Sequence, residues 1–471
     1  MNRTFLPILC AGLILTFCSW AEAAERAPSV DELWKIIQQQ QKQIDALNQK
    51  LEASAKQNDT EKPAAPAAST DADTKMDDVK EVSRKTDILS QEVEKLRTAL
   101  VIPEEKALKS EYGLGPAASK VYHADKGLSI GGYGEGSYQN VVSDQGSRSD
   151  NADFLRAVIY LGYKFNDNIL FNSEVEFEHA STEKNGAVSV EFANLDFLLD
   201  PVANIRAGLV LQPVGFINLI HESPYFFGNQ RPEVERRIIP STWSDIGLGL
   251  FGEILPGLTY TTYGINGLDA KGFSSTGIRS GRQSGSEVIA EDLAWVMRVD
   301  YTPPVHPGLT VGTSTYLGNS GQNQLFAGRK INVFTQLYEA HLQWKYFGWE
   351  FRALGAWGHV GDAAILSLDR GETVGKSNYG WYTEIGYNLL PWLLPDTTQY
   401  LVPFFRYEQY DTIASAPSGF GDNPNLDRRI FQFGLQYKPI PNIVIKADYR
   451  NFSAKVGTVP DEFNLGIGYV F

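Results

Sequence analysis

The sequence contains very little cysteine, little positive charge relative to negative, and no long apolar run beyond its N-terminus. Its two cysteines, Cys10 and Cys18, both lie in a short N-terminal stretch, so an exported chain without that stretch would form no disulfide and no thiolate metal site. No later segment approaches the roughly 18 consecutive apolar residues that a membrane helix needs, which excludes a helical transporter. The 42 Lys+Arg against 56 Asp+Glu, a net charge of −14, exclude a general nucleic-acid binder.

Glycine and aromatic residues are abundant instead, and the N-terminus has the pattern of an export signal. The chain has 43 Gly, 22 Tyr, 25 Phe and 9 Trp, a mixture that suits twisted, aromatic-rich strands. Residues 1–23 combine one early charge at Arg3, an apolar core and the small-residue end Ala21-Glu22-Ala23. This pattern predicts a signal peptide and export from a bacterium.

Two heptad patterns follow the predicted signal peptide and are separated by an Ala/Pro-rich spacer. We predict coiled-coil segments over residues 24–60 and 76–103, a linker over 61–75 and a second linker over 104–126. The second heptad seam is the more regular, and Pro103 would end its helix. These segments predict a self-associating periplasmic stalk with the cell wall as a candidate partner; two surface helices or partial disorder are the alternative.

From about residue 127 to residue 471 the apolar pattern changes to a period of two, which is typical of β-strands. In the last segment, Phe463, Leu465, Ile467, Tyr469 and Phe471 share one face, and small or polar residues share the other. About sixteen such strands, many of roughly 10 to 14 residues, are connected alternately by short and long segments. This order predicts an all-β fold, a transmembrane antiparallel β-barrel over residues 127–471, with aromatic residues near strand ends as membrane-interface girdles.

The second face of the predicted strands is rich in charge and would line a water-filled channel for passive diffusion of small hydrophilic solutes. Arginine has the side chain best suited to oxyanions, which would favour anions. Acidic residues lie two positions from several of these cations, so a neutralised wall without anion selectivity is an equal alternative. The predicted pore-lining cations are Arg156, Arg206, Arg298, Arg352, Arg406, Lys446 and Arg450.

The connection over residues 212–242 is the best candidate for a loop that folds into the barrel and narrows it. It contains apolar residues, among them Phe216 and Phe227, that an exposed loop of this length would not need. An external loop that packs against a neighbouring subunit is the alternative. The predicted constriction residues are Arg231, Glu233, Glu235, Arg236 and Arg237.

Parts of the predicted barrel resemble the phosphate-selective porin family, porins O and P. The resemblance lies in Pro213-Val214-Gly215-Phe216, in residues 231–234, 239–243 and 247–252, and in residues 439–450 near the C-terminus. It covers about three quarters of the chain. The resemblance implies a trimeric, sixteen-stranded outer-membrane porin whose third outer loop, here residues 212–242, narrows the pore. It also implies phosphate as a transported anion, although this sequence mixes many acids with its lumen-facing arginines.

No catalytic or cofactor motif is recognisable in the sequence. The glycine-rich run over residues 131–136 lies in a predicted strand and is expected to supply small lumen-facing residues. His179 beside Glu174, Glu176 and Glu178 is a weak candidate for binding a cation. We therefore expect a protein that is not an enzyme and has no metal and no cofactor; a general or carbohydrate-conducting porin, an outer-membrane structural anchor and an outer-membrane hydrolase are the alternatives.

Overall fold

The computed structural model describes residues 109–142, 149–180, 186–306, 308–394 and 397–471. The chain divides into two units, Met1–Val101 and Ile102–Phe471, and all of the described residues belong to the second. The predicted signal peptide, both predicted coiled-coil segments and the linker over residues 61–75 lie outside the described residues. Among the described residues, no helix is long and apolar enough to cross a membrane.

Sixteen antiparallel strands form a closed barrel in which each strand pairs with its neighbours in the chain and the last strand pairs with the first. A separate two-stranded hairpin lies within one connection. The barrel strands are β1 Gly127–Val141, β2 Asn151–Lys164, β3 Ile169–Glu178, β4 Val188–Asp200, β5 Ala203–Leu211, β6 Ser244–Leu255, β7 Leu258–Asn266, β8 Leu293–Tyr301, β9 Leu309–Asn319, β12 Phe334–Tyr346, β13 Trp349–Val360, β14 Ser377–Tyr387, β15 Tyr400–Ser415, β16 Asp427–Ile440, β17 Ile443–Ala454 and β18 Glu462–Val470; the hairpin is β10 Leu325–Phe326 and β11 Arg329–Lys330.

The period of two in the sequence corresponds directly to the two faces of the barrel wall. In β17, Val444, Lys446, Asp448 and Arg450 are buried on the inner face, whereas Ile445 is 47% exposed on the outer face. The strands are 9 to 16 residues long, enough to cross a bilayer at a tilt. Closure pairs the backbone groups of β1 with those of β18, so the barrel has no free sheet edge. The predicted fold class is confirmed.

The two ends of the barrel differ, as the alternation of short and long connections predicted. Tight turns such as residues 201–202, 256–257 and 347–348 lie at the turn end, and the long connections lie at the loop end. The long connection between β15 and β16 begins only after Ser415, where β15 ends. The described helices are α1 Glu233–Arg237, α2 Ala363–Arg370 and α3 Leu390–Leu393, together with short 3₁₀ segments at Ala118–His123, Ser223–Tyr225, Ala270–Gly272, Arg279–Gly281 and Pro424–Leu426.

The interior of the barrel is largely occupied by packed side chains, which differs from the expected open lumen. Long connections turn inward and bury apolar residues against the wall, so that Trp243, Phe273 and Phe326 contribute to one continuous core with Tyr316 of β9. Trp243 and Tyr316 lie with ring centroids 5.0 Å apart. The loops supply apolar area that strand periodicity alone does not reveal, and they restrict the space left for solvent.

Residues 109–126, which we call the N-terminal strap, pack inside the barrel against β1 to β6. Ala117, Ala118 and Val121 are buried in a second apolar cluster. Gly162 of β2 permits this close approach, because a Cβ there would lie 2.6 Å from the Cβ of Val121. The described part of the segment predicted as a linker over residues 104–126 is therefore an ordered component of the barrel interior, since it buries enough apolar surface to remain docked.

Polar contacts fix the N-terminal strap in place. The hydroxyl of Tyr122 donates to Asp196 Oδ2 at 2.6 Å and accepts from Arg206 Nη2 at 2.9 Å. The backbone N–H of Ala117 donates to Glu222 Oε1 at 3.0 Å. Burial of Glu222 raises its pKa to about 7. The strap thus joins the inner wall to the long connection between β5 and β6.

Candidate functional site: an inward loop held by wall cations

The connection between β5 and β6, residues 212–243, folds into the barrel; we call it the inward loop. Its two ends meet, because the N–H of Gln212 donates to the carbonyl of Trp243 at 2.9 Å. The side chain of Asn218 strengthens this closure by donating to the carbonyl of Gln212 at 2.6 Å and accepting from the N–H of Trp243 at 2.7 Å. With its ends closed, the rest of the loop extends across the lumen.

Five of the seven predicted pore-lining cations contact the inward loop. The guanidinium of Arg406 is fully buried and donates to the carbonyls of Phe227 at 2.6 Å and Gln230 at 3.2 Å. Lys446 donates to the carbonyls of Phe226 and Gly228 at 2.9 and 2.8 Å. The remaining contacts run from Arg298 to the carbonyl of Gly215, from Arg352 to the carbonyl of Tyr225 at 2.7 Å, and from Arg450 to Glu233 Oε1 at 3.1 Å.

These contacts explain why charged residues of the inner face are buried. Backbone carbonyls of a loop inside a barrel lack strand partners, and a buried carbonyl without a donor is costly. Arginine and lysine on the wall supply those donors. The positive charge of Arg406 is balanced by Glu384, whose Oε2 lies 2.7 Å from Nη2. The cations therefore face inward, as the strand periodicity predicted, and they hold the loop.

Aromatic packing complements the polar contacts of the loop. The ring of Phe227 stacks on Phe404 of β15, with centroids 5.2 Å apart and planes 9° from parallel. The ammonium of Lys446 lies 3.9 Å from the ring centroid of Phe226, a cation–π geometry. These contacts fix the middle of the loop on the strands opposite its origin.

The two acidic residues predicted at the constriction have different surroundings. Glu233 contacts Arg450, Arg236 and Arg237, with the last pair at 3.1 Å. Although burial acts to raise its pKa, these guanidinium groups lower the pKa of Glu233 to about 2. Glu235 accepts from the N–H of Ile217 at 2.7 Å and from Tyr382 at 2.6 Å, and burial raises its pKa. Both carboxyl groups therefore hold the loop together.

The other three predicted constriction residues belong to a cluster of five arginines. Arg231 is partly buried, Arg237 is 35% exposed and Arg236 is 49% exposed at their side chains. Arg279 and Arg282, from the connection between β7 and β8, complete the cluster. Burial, followed by repulsion from the four other arginines, lowers the pKa of Arg279 to about 9.

Arg279 and Arg282 also hold the end of the inward loop. Both donate to the carbonyl of Ser241, and Arg282 donates to the carbonyl of Thr242. Thr242 has a φ of 56°, an uncommon conformation for a β-branched residue, and these donors support it. Strand periodicity could not reveal this pair because it lies in a long loop; its three-residue spacing in a segment poor in acids was the available signal.

The two remaining predicted pore-lining cations do not contact the inward loop. Arg156 pairs with Glu135 at 2.9 Å and with Glu176 at 3.0 Å. Arg206 pairs with Asp196 at 2.8 Å and contacts the N-terminal strap. Both side chains face the interior, where they are balanced by carboxylates of neighbouring strands.

The acidic run near His179 is divided between different partners. His179 Nδ1 lies 2.6 Å from Asp153 Oδ2, whereas Glu174 lies 3.0 Å from Nε2 of His221 in the inward loop. Burial acts to lower the pKa of His221, yet the carboxylate of Glu174 raises it overall. The described residues contain no group of three or more His, Cys, Asp and Glu side chains arranged to hold a metal ion.

A closed barrel of sixteen strands with a connection folded inside it has the architecture of porin-type outer-membrane barrels. OmpF of Salmonella typhi, in a complex with daunomycin, superposes with a TM-score of 0.51 over 74% of this chain and 98% of that chain, at 14% sequence identity. An anion-selective porin from Comamonas acidovorans superposes with a TM-score of 0.47 over 73% and 99% of the two chains, at 11% identity.

A relative with much higher sequence similarity defines the family. An uncharacterized protein of Aquifex aeolicus (strain VF5) is 40% identical in an alignment of 393 residues that covers 80% of this chain and 87% of the relative. The chain belongs to the same family as that protein. No model of a known protein family matches it.

Proposed function

We propose that this protein is an outer-membrane porin that lets small hydrophilic solutes diffuse passively, with a preference for anions such as phosphate. The observation that supports it most is the inward loop, which is bound to the inner face of the wall and carries three of the five clustered arginines. A loop in this position narrows the path that solutes would take through the barrel without blocking it. The apolar outer face of the wall suits lipid, which supports a location in the bacterial outer membrane.

The anion preference follows from the charge of the cluster. Arg231, Arg236, Arg237, Arg279 and Arg282 come from two different loops, and Glu233 is shared between two of them and Arg450. The other four guanidinium groups repel that of Arg279, and an anion bound beside Arg279 would relieve that repulsion. An oxyanion such as phosphate can accept several of their hydrogen bonds at once.

Other parts of the assignment rest on the sequence. The resemblance to porins O and P supports a homotrimer, and the predicted signal peptide supports export. We propose that residues 24–60 and 76–103 form the coiled-coil segments of a periplasmic stalk, joined by the linker over residues 61–75, with the cell wall as the partner of the stalk. Trimer formation is tested by light scattering of the detergent-solubilised protein, and the position of the stalk by protease accessibility in intact and permeabilised cells.

Single-channel recording in planar bilayers tests the channel and its selectivity. Stepwise conductance supports the porin, and a reversal potential in a salt gradient measures anion preference. Replacing Arg231, Arg236 and Arg237 together by Ala, or Arg279 and Arg282 together by Ala, should shift the reversal potential toward cations. Arg329→Ala is the matched control, because Arg329 is exposed on the hairpin of another loop.

The outcomes separate the alternatives. An unchanged reversal potential in both sets of variants would leave a general or carbohydrate-conducting porin, which liposome swelling with neutral sugars would then identify. A folded protein that gives no conductance would support a structural anchor or a hydrolase. An esterase assay then distinguishes those two.

A further inference from the structure

A cavity of about 940 Å³ lies at the turn end of the barrel, away from the arginine cluster. It is bounded by the N-terminal strap, by the inward loop and by the ends of β12, β13, β15 and β16. Its volume lies within the range of pockets that hold organic ligands, roughly 300 to 1,000 Å³. It is therefore larger than a site for a bare inorganic ion would need to be.

The cavity has an excess of positive charge. Lys120 of the strap, Lys345 of β12 and Lys438 of β16 line it, and Glu350 has the one acidic side chain among the lining residues. Glu350 is already paired with Arg352 at 2.7 Å and with Lys345 at 3.5 Å. In the described part of the chain, no carboxylate lies within ion-pair distance of Lys120 or Lys438. Two ammonium groups thus remain to attract an anion.

The same cavity has aromatic walls. Tyr225 and Phe227 of the inward loop and Tyr400 of β15 line it. Stacking on Phe404 fixes the orientation of the Phe227 ring. The ammonium of Lys438 lies 5.7 Å from the ring centroid of Tyr225. Rigid aromatic faces beside cations favour ligands that combine an apolar, planar body with a negative group.

We propose that this cavity is a binding site for organic anions with a planar apolar body, separate from the arginine cluster at the loop end. The negative group contacts Lys438 and Lys120, and the apolar body lies against Tyr225 and Phe227. A small inorganic anion would leave the aromatic walls without a partner, and a cation would be repelled. This proposal rests on the proposed function, because it assumes that solutes reach the turn end of the barrel either through the channel or from its mouth at that end.

Benzenesulfonate is a suitable probe because it stays charged at every working pH and pairs an aromatic ring with one anionic group. Calorimetry on the full chain in detergent should show that it binds more tightly than methanesulfonate, which lacks the ring, and than benzyl alcohol, which lacks the charge. In bilayers it should reduce the current at lower concentration when added on the turn side than on the loop side.

Lys438→Met removes the charge and keeps most of the stem. We expect it to weaken benzenesulfonate binding about tenfold, equivalent to about 1.4 kcal/mol, and Lys120→Met to act in the same direction. The control is Lys126→Met, an exposed lysine before β1 that does not line the cavity. Heat-modified migration in SDS gels verifies that each variant is folded.

The results separate this site from the channel. Equal binding of methanesulfonate and benzenesulfonate, or unchanged binding in both folded lysine variants, would refute the site even if the protein conducts. If the unmodified protein binds benzenesulfonate but gives no conductance in bilayers, the channel would be refuted and the binding site would stand. Weaker binding in both lysine variants and unchanged binding in the control would support the proposal.

Discussion

Lys446→Met tests whether wall cations hold the inward loop. Lys446 is 2% exposed, and its ammonium donates to the carbonyls of Phe226 and Gly228. Methionine keeps an unbranched apolar side chain of similar length and removes the charge. Because no carboxylate in the described chain is paired with Lys446, the substitution leaves no buried acid without a partner.

The magnitude follows from the two hydrogen bonds. A hydrogen bond from a charged donor contributes about 1.5–3 kcal/mol, and the cost of burying the ammonium offsets part of that gain. We expect a net loss of about 2 kcal/mol of loop docking, which changes the ratio of docked to displaced loop roughly 30-fold. A displaced loop widens the path, so larger conductance steps should appear and occupy more of the recording.

Planar-bilayer recording measures the effect, and Lys455→Met is the control because its side chain is 61% exposed near the loop end. Unfolding in urea, followed by gel migration, should show that the barrel itself persists. If Lys446→Met gave the same conductance distribution as the unmodified protein, the wall cations would not be what keeps the loop docked, and the reasoning would fail.

Two further predictions concern pH. Burial raises the pKa of Glu222 to about 7, so its contribution to docking of the N-terminal strap is fully present below its ordinary pKa of about 4.5 and is lost as pH rises through 7. The protection factor of the Ala117 amide, which corrects the exchange rate for base catalysis, should be lower at pH 8 than at pH 5, and Glu222→Gln should remove this difference. The arginines around Glu233 lower its pKa to about 2, so its contribution to docking of the inward loop is present above about pH 4.5 and is lost as pH falls toward 2. Protease cleavage of the inward loop should therefore increase below pH 4. The variant Glu233→Gln should be cleaved readily at every pH.

The barrel could be predicted because its signal is local and repeated. In β17 and β18 alternate residues differ in polarity, and the same contrast recurs along every long strand. Each strand carries this pattern independently, since one face must contact lipid and the other must not. The connection over residues 212–242 was also recognisable as a candidate inward loop, because its apolar residues need a place to be buried.

The partners of the inner face could not be predicted in this way. Arg406 has a local acidic neighbour in the sequence, Glu408, yet its guanidinium also contacts Glu384, Phe227 and Gln230 from distant parts of the chain. The alternation of polar and apolar residues indicates which face of the wall a side chain lies on. It carries no information about which residues that side chain contacts inside the barrel. Sequence periodicity therefore predicted that these cations face the interior, but not that several of them would hold the inward loop.

By itself, then, the sequence determined which residues form strands and which face each side chain takes, because successive side chains of a pleated strand point to opposite faces. Only the tertiary structure decided what fills the barrel. The N-terminal strap reaches β2 and β4, and Arg279 reaches the inward loop from another connection. Those contacts join residues far apart in the chain, and their energy comes from burial and from pairing charges that no short stretch of sequence brings together.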